Sequence, residues 1–150
     1  MSYICADACF VIALSDPRDG YHDRALQIYE EYLENSANVL FLPWPAIYEA
    51  VSTRAARNPT YLARLRANWN TLQSLGRLEL LDDSPYRDQA LDDSFINPSP
   101  SRRKPVHLSA ADRVIRSMIA DGSLRLDALI SFNYSDFADV CAVRKCVVID

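Results

Sequence analysis

Apolar and polar positions follow two rhythms along this chain. Tyr3 to Leu14 is an almost unbroken apolar run, the pattern of a strand covered on both faces of a parallel sheet, and Asp7 interrupts it. Asp16-Pro17-Arg18-Asp19-Gly20 is turn chemistry. Ala25, Ile28, Tyr29, Tyr32 and Leu33 then share one face at helical spacing. Val39 to Leu42 predicts a short strand whose exit is bracketed by Pro43 and Pro45, and Ile47 to Ala56 predicts a helix. Leu62, Leu65, Trp69 and Leu72 mark a further helix, stopped by Gly76 just past its last turn.

The second half repeats the alternation. Leu78 to Leu81 predicts a strand, and Ser84-Pro85 supplies an N-cap and a first-turn proline for a helix running towards Phe95. Asn97 to Pro105, with three prolines and three consecutive basic residues, is a loop. Ser109 caps a helix carrying Val114, Ile115, Met118 and Ile119 and ending at Gly122. Ala128 to Phe132 predicts a strand, Ser135 to Val140 a short helical turn, and Cys146 to Ile149 the last strand. Strands alternating with helices predict an α/β fold, a central, mostly parallel sheet flanked by helices on both faces. With 150 residues and no repeat, low-complexity tract or linker, the chain reads as one domain over residues 1–150.

Composition narrows the class. Hydrophobic residues at 49% and charged residues at 24% exclude a disordered chain, a collagen-like repeat and a disulfide miniprotein. No segment reaches the roughly 18 apolar residues of a membrane span. The first apolar run also lacks the basic lead-in of a signal peptide. The four cysteines (Cys5, Cys9, Cys141, Cys146) match neither a zinc knuckle nor a secreted framework, so they read as reduced thiols of a cytoplasmic protein.

Ligands of an open parallel sheet bind beyond the carboxyl ends of its strands. Asp7, Glu49, Asp112, Asn133 and Asp136 all stand near such ends or at helix starts. Each has a structural alternative. Glu49 can be a solvated helix residue, Ser109-x-x-Asp112 a capping box, and Asp136 a charge at a helix N-terminus. Asp7 resists such a reading, because a carboxylate in a buried strand costs several kcal/mol unless it is paired or metal-bound. No Lys or Arg precedes Arg18 in the chain. Oxygen-only clusters suit Mg²⁺ or Mn²⁺, and the lone His22 and His107 make zinc a poor fit. Carboxylates without a nucleophile motif or a glycine-rich phosphate cradle point to metal-assisted hydrolysis of a phosphate ester.

With these residues in order, the chain resembles the PIN-domain ribonucleases, and among them the VapC-type toxins of prokaryotic toxin–antitoxin pairs. Ala6-Asp7-Ala8-Cys9-Phe10-Val11-Ile12-Ala13-Leu14 looks like the family's first strand with its leading metal-binding Asp, and His22-Asp23-Arg24-Ala25 fits the start of its first helix. Ile47-Tyr48-Glu49-Ala50 is similar to the segment bearing the second acidic ligand, and Leu108-Ser109-Ala110-Ala111-Asp112 to Leu-Ser-x-x-Asp with the third. Leu129-Ile130-Ser131-Phe132-Asn133-Tyr134-Ser135-Asp136-Phe137 resembles the Thr-x-Asp or Thr-x-Asn element that ends in Asp-Phe. The chain departs from the pattern at Cys9, where Ser, Thr or Asn is common, and at the fourth acidic position, filled by Asn133 or Asp136.

The resemblance implies a Mg²⁺- or Mn²⁺-dependent endoribonuclease acting through metal-activated water. Asp7 and Asp112 would hold the cation, and Glu49 would bind it or act as base. The fourth position would orient the water or help a second ion. It also implies a cognate antitoxin, whose segment would lie across the acidic pocket or the groove between helices, and a homodimer.

A net charge of −4 is at odds with RNA binding only until its distribution is considered. Ala50 to Leu78 holds five arginines and no acid, whereas Asp82 to Asp93 holds five aspartates and one arginine. Arg54, Arg57, Arg102, Arg103, Lys104 and Arg113 are the candidate phosphate contacts. Tyr61 and Trp69 are candidate base-stacking rings, although Trp69 shares the leucine face. Two other readings compete: a PIN-like module that binds RNA or protein without cutting, kept open by Asn133, and a phosphatase of small substrates, which leaves the arginines without a purpose.

Overall fold

The computed structural model describes residues 1–96 and 108–150, so the expected loop with Arg102, Arg103 and Lys104 lies outside the described residues. The described strands are β1 (Tyr3–Ala6), β2 (Val39–Pro43), β3 (Leu78–Leu81), β4 (Ala128–Ile130) and β5 (Val147–Ile149). They form one sheet in the order β3-β2-β1-β4-β5, with every pairing parallel. From β1 the chain builds outwards to β3, then crosses back to begin β4 on the other side of β1. That reversal makes the carboxyl ends of β1 and β4 the switch point of the sheet, the usual ligand position in doubly wound sheets.

The helices are α1 (Ala8–Ser15), α2 (His22–Ile28), α3 (Trp44–Ser52), α4 (Pro59–Ser74), α5 (Ser84–Ile96), α6 (Ala110–Ala120) and α7 (Tyr134–Arg144). Alternation along the strands divides them between two faces. Ile4, Ala6, Leu40, Leu42 and Ile130 pack with Phe10, Ile28, Ile47 and Leu72 from α1 to α4. Cys5 and Leu129 point the other way, onto Ile115 and Ile119 of α6 and Phe137 and Cys141 of α7. Phe41 extends that second layer onto Ala90 of α5 and Met118. Helices thus cover both faces, as the pattern predicts.

Several boundaries differ from expectation. The apolar run Tyr3 to Leu14 is two elements, since the strand ends at Ala6 and a helix starts at Ala8. Asp7 is the N-cap between them, its Oδ1 accepting the Ala8 N–H at 2.7 Å. A helix buried all round has the same continuous apolar signature as a buried strand, which is why periodicity does not separate them. The helix after β2 stops at Ser52, followed by a 3₁₀ turn over Arg54–Arg57. Ser84 is the first helical residue rather than the cap, with the Asp83 carbonyl accepting the Arg87 N–H at 3.1 Å. β4 ends at Ile130, earlier than expected, and α7 runs on to Arg144. Gly76 adopts the left-handed conformation that its place beyond α4 requires (φ 65°).

Ser109 caps α6 as the sequence predicts, its Oγ accepting the Asp112 N–H at 3.1 Å. Ser109→Ala should cost about 1 kcal/mol of stability, read by denaturant unfolding.

Candidate active site

The site is built around the junction of β1 and α1. The Asp7 N–H donates to the Ile130 carbonyl at 3.0 Å, which ties the end of β1 to the end of β4. Its side chain is buried (4% exposed). While Oδ1 caps α1, Oδ2 accepts the Ser131 hydroxyl at 3.0 Å and the Cys9 thiol at 3.3 Å. Burial raises the Asp7 carboxyl above its usual range, the Cys9 and Ser131 hydrogen bonds oppose that rise, and the negative charge of Asp112 adds to it. Burial and the adjacent Asp7 push the Cys9 thiol up to about 12, so it stays protonated and serves as a donor. Cys9 therefore faces the site rather than acting only as a core thiol.

Glu49 and Asp112 arrive from opposite layers. Glu49 is exposed on α3, on the rim of a concavity of about 410 Å³ that also involves Tyr48, Leu91 and Val114. Partial desolvation, followed by the charges of Asp7 and Asp112, pushes its carboxyl up to about 7. Asp112 lies in the first turn of α6, and its Oδ2 accepts the Ser109 hydroxyl at 2.8 Å. Asp112 thus makes the capping box that the sequence predicts, while its charge still acts on Asp7 and Glu49. Among the described residues no cation pairs with these three carboxylates. Nor, among those residues, are three His, Cys, Asp or Glu side chains gathered into a preformed metal cage.

Donor chemistry decides which ion fits. Asp7, Glu49 and Asp112 offer only hard oxygen ligands; they repel one another, and of the described cations Arg116 acts on Asp112 from a distance without an ion pair. That set fits Mg²⁺ or Mn²⁺.

The fourth position is divided. Asn133 is exposed at the start of α7, and its side chain makes no capping hydrogen bond. Asp136 is half-buried in the first turn, where its carbonyl accepts Arg116 Nη1 at 2.6 Å. Arg116 also holds Asp139 through two bonds of 2.6 and 2.7 Å, locking α6 to α7 and so fixing Asp112 relative to Asn133 and Asp136. Sequence reasoning passed over Ser131. This fully buried hydroxyl donates to Asp7 and accepts the Asn133 N–H at 3.1 Å. Its signal was a hydroxyl residue at the end of an apolar run, two positions before Asn133, where the resembled element has Thr.

The basic candidates separate. Arg54 and Arg57 are exposed and line a concavity of about 610 Å³, which the structure completes with Arg18 and Asn58. Arg18 is also held by Asp16, Nε to Oδ1 at 3.0 Å. Arg113 differs from expectation in being buried, its Nε donating to the Leu108 carbonyl at 3.3 Å. The expected stacking role of Tyr61 is corrected too, since its ring is buried and its hydroxyl donates to the Ala50 carbonyl at 2.8 Å. Trp69 packs against the core.

No protein-family model and no curated protein matches the sequence. Solved structures do match. VapC20 of Mycobacterium tuberculosis, described as a sarcin–ricin loop cleaving toxin, aligns with a TM-score of 0.63 over 91% of this chain and 94% of its own, at 14% identity. The chain shares that toxin's fold. VapBC2 of Rickettsia felis, solved bound to a DNA fragment from its promoter, aligns at 0.54 over 98% of this chain and 97% of that one, at 11% identity. The shared fold thus spans nearly the whole chain, and it is the PIN-like α/β architecture that the ordered motifs imply. No described helix is long and apolar enough to cross a membrane.

Proposed function

We propose that this protein is a Mg²⁺- or Mn²⁺-dependent endoribonuclease of the VapC type, the toxin of a toxin–antitoxin pair. The observation that carries the reading is the electrostatic proximity of three carboxylates with no ion pair to any of them among the described residues: Asp112 raises the Asp7 carboxyl, and Asp7 and Asp112 together raise that of Glu49. Asp7, Asp112 and Glu49 would hold the cation, which when bound supplies positive charge to stabilise the reacting phosphate. Ser131 and Cys9 fix the Asp7 carboxylate. Glu49, exposed on α3, would either complete the cation's ligands or take the proton from the attacking water onto its carboxylate. Asn133 or Asp136, beyond Ser131 at the start of α7, would orient that water or the substrate.

The loop-cleaving toxin among the structural neighbours supports RNA as the substrate, and the arginine concavity supports phosphate binding. The partner is a cognate antitoxin, for which the groove formed by Tyr48, Leu91 and Val114 beside Glu49 offers an apolar seat. A second copy of the chain and a cytoplasmic setting belong to the same reading.

Two measurements test it. A structured RNA and a small phosphate monoester are incubated with the protein in Mn²⁺; cleavage of the RNA alone is expected, and hydrolysis of the monoester alone would replace the reading with a phosphatase. Neutralising Arg54 and Arg57 with Gln should weaken RNA binding and flatten its salt dependence, by roughly 0.7 in log–log slope for each single-strand phosphate that goes unneutralised. An unchanged slope would remove those arginines from the RNA path.

A further inference from the structure

Tyr61 and Trp69 belong to the core, but another aromatic pair lies beside the acidic centre. Tyr21 and Phe132 lie ring on ring, with centroids 4.5 Å apart and planes 7° from parallel. Tyr21 is nevertheless 55% exposed. Its backbone is pinned, because Asp19 Oδ1 accepts the Tyr21 N–H at 2.8 Å, and the next residue, His22, bonds the Ala13 carbonyl through Nδ1 at 2.7 Å. Phe132 is tied to the acidic centre. Its N–H donates to Cys9 Sγ at 3.4 Å, and that thiol donates to Asp7 Oδ2 at 3.3 Å.

An exposed ring, fixed in orientation and backed by a second ring, presents one free π-face to solvent. Every nucleobase has a π-face of matching size and chemistry, and stacking is tolerant of base identity. Stacking on rings, moreover, needs an unpaired base, as in a loop or a single strand. We propose that Tyr21, backed by Phe132, is a stacking platform that positions an unpaired RNA base beside Asp7. It rests on the ribonuclease reading and adds to it an aromatic contact that holds a base of the RNA next to the acidic centre. Tyr21 is a positioning residue in this account and takes no part in the chemistry.

The test is equilibrium binding in EDTA, so that cleavage plays no part. The probes are a short single-stranded RNA and a ribose-phosphate chain of equal length without bases. Tyr21→Leu keeps an apolar cover over Phe132 but lacks the aromatic face, and Tyr21→Phe keeps the face. Tyr21→Leu and Tyr21→Ala should each weaken RNA binding about 10-fold, and Tyr21→Phe should stay within about twofold of the wild type. Binding of the baseless chain should be the same for all four proteins. RNA binding unaltered in Tyr21→Leu would overturn the platform and leave the ribonuclease reading standing. Equal losses on RNA and on the baseless chain would also overturn it, since stacking requires a base. Wild-type protein that binds neither probe would overturn the platform, while RNA cleavage in Mn²⁺ decides the ribonuclease reading separately.

Discussion

Asparagine at position 7 is expected to leave the protein folded and to lower RNA cleavage by about 1,000-fold, the scale of several kcal/mol of lost charge stabilisation. The amide keeps a carbonyl oxygen for the Ala8 N–H or the Ser131 hydroxyl, so the local frame has a route to survive. What disappears is the charge. Because burial and Asp112 raise the Asp7 carboxyl, that charge is a net burden on the protein without a bound ion. The melting temperature of Asp7→Asn in EDTA should therefore equal or exceed that of the wild type, while added Mn²⁺ should stabilise only the wild type. A thermal melt beside a cleavage gel reads both. An Asp7→Asn protein that cuts RNA at the wild-type rate would remove Asp7 from the chemistry.

Glu49→Gln should lower cleavage about 100-fold, the lower end of what a positioned proton acceptor contributes. It should also change how stability depends on pH. In the wild type the Glu49 carboxyl rises from 4.5 to about 7, first through partial desolvation and then through Asp7 and Asp112. Between those two values the folded protein holds a proton that the unfolded chain has released. Stability should therefore fall as pH rises through this window. Asp7, raised in the same direction, adds to the fall. Exposure of Glu49 moderates the effect through solvent screening. Melts of the ion-free protein from about pH 5 to about pH 8 should show the decline, and Glu49→Gln should flatten it. Added Mn²⁺ favours the ionised carboxylates, so its stabilisation should grow with pH. A wild-type curve that rises across this window would contradict the clustering of the three acids.

Much of the architecture was legible because its cause is local. The short strands at Val39 and Leu78, the Ser109 cap and the Gly76 stop each follow from a few adjacent residues. The β1–α1 boundary was not legible. A helix buried on all sides has no polar stripe, so Ala8 to Ser15 looks like the strand before it. The carboxylates themselves were legible as outliers, Asp7 above all, because a buried acid needs a reason. Ser131 was harder to see, since its importance lies in reaching a residue 124 positions earlier across the β4–β1 pairing. Tyr21 was invisible for the same reason. It sits after a turn rich in polar residues, and only the fold brings Phe132 beneath its ring.

Charge patterning was half legible. The acid-free stretch from Ala50 to Leu78 does present Arg54 and Arg57 to solvent, but Arg18 joins them from a turn nearly 40 residues away in sequence. Arg113, on a helix that reads as amphipathic, falls on its buried side. A single arginine next to an apolar face carries no mark of which way it turns, because its long stem packs well against hydrophobic neighbours while its head seeks a carbonyl.

The most direct test of a metal-dependent ribonuclease centred on Asp7 is mapping of the 5′ ends of total RNA after incubation with the purified, partner-free protein in Mn²⁺, beside an EDTA control and Asp7→Asn. Discrete new ends are expected that are absent from both controls and that fall at unpaired nucleotides. Ends that are the same in all three samples would contradict it.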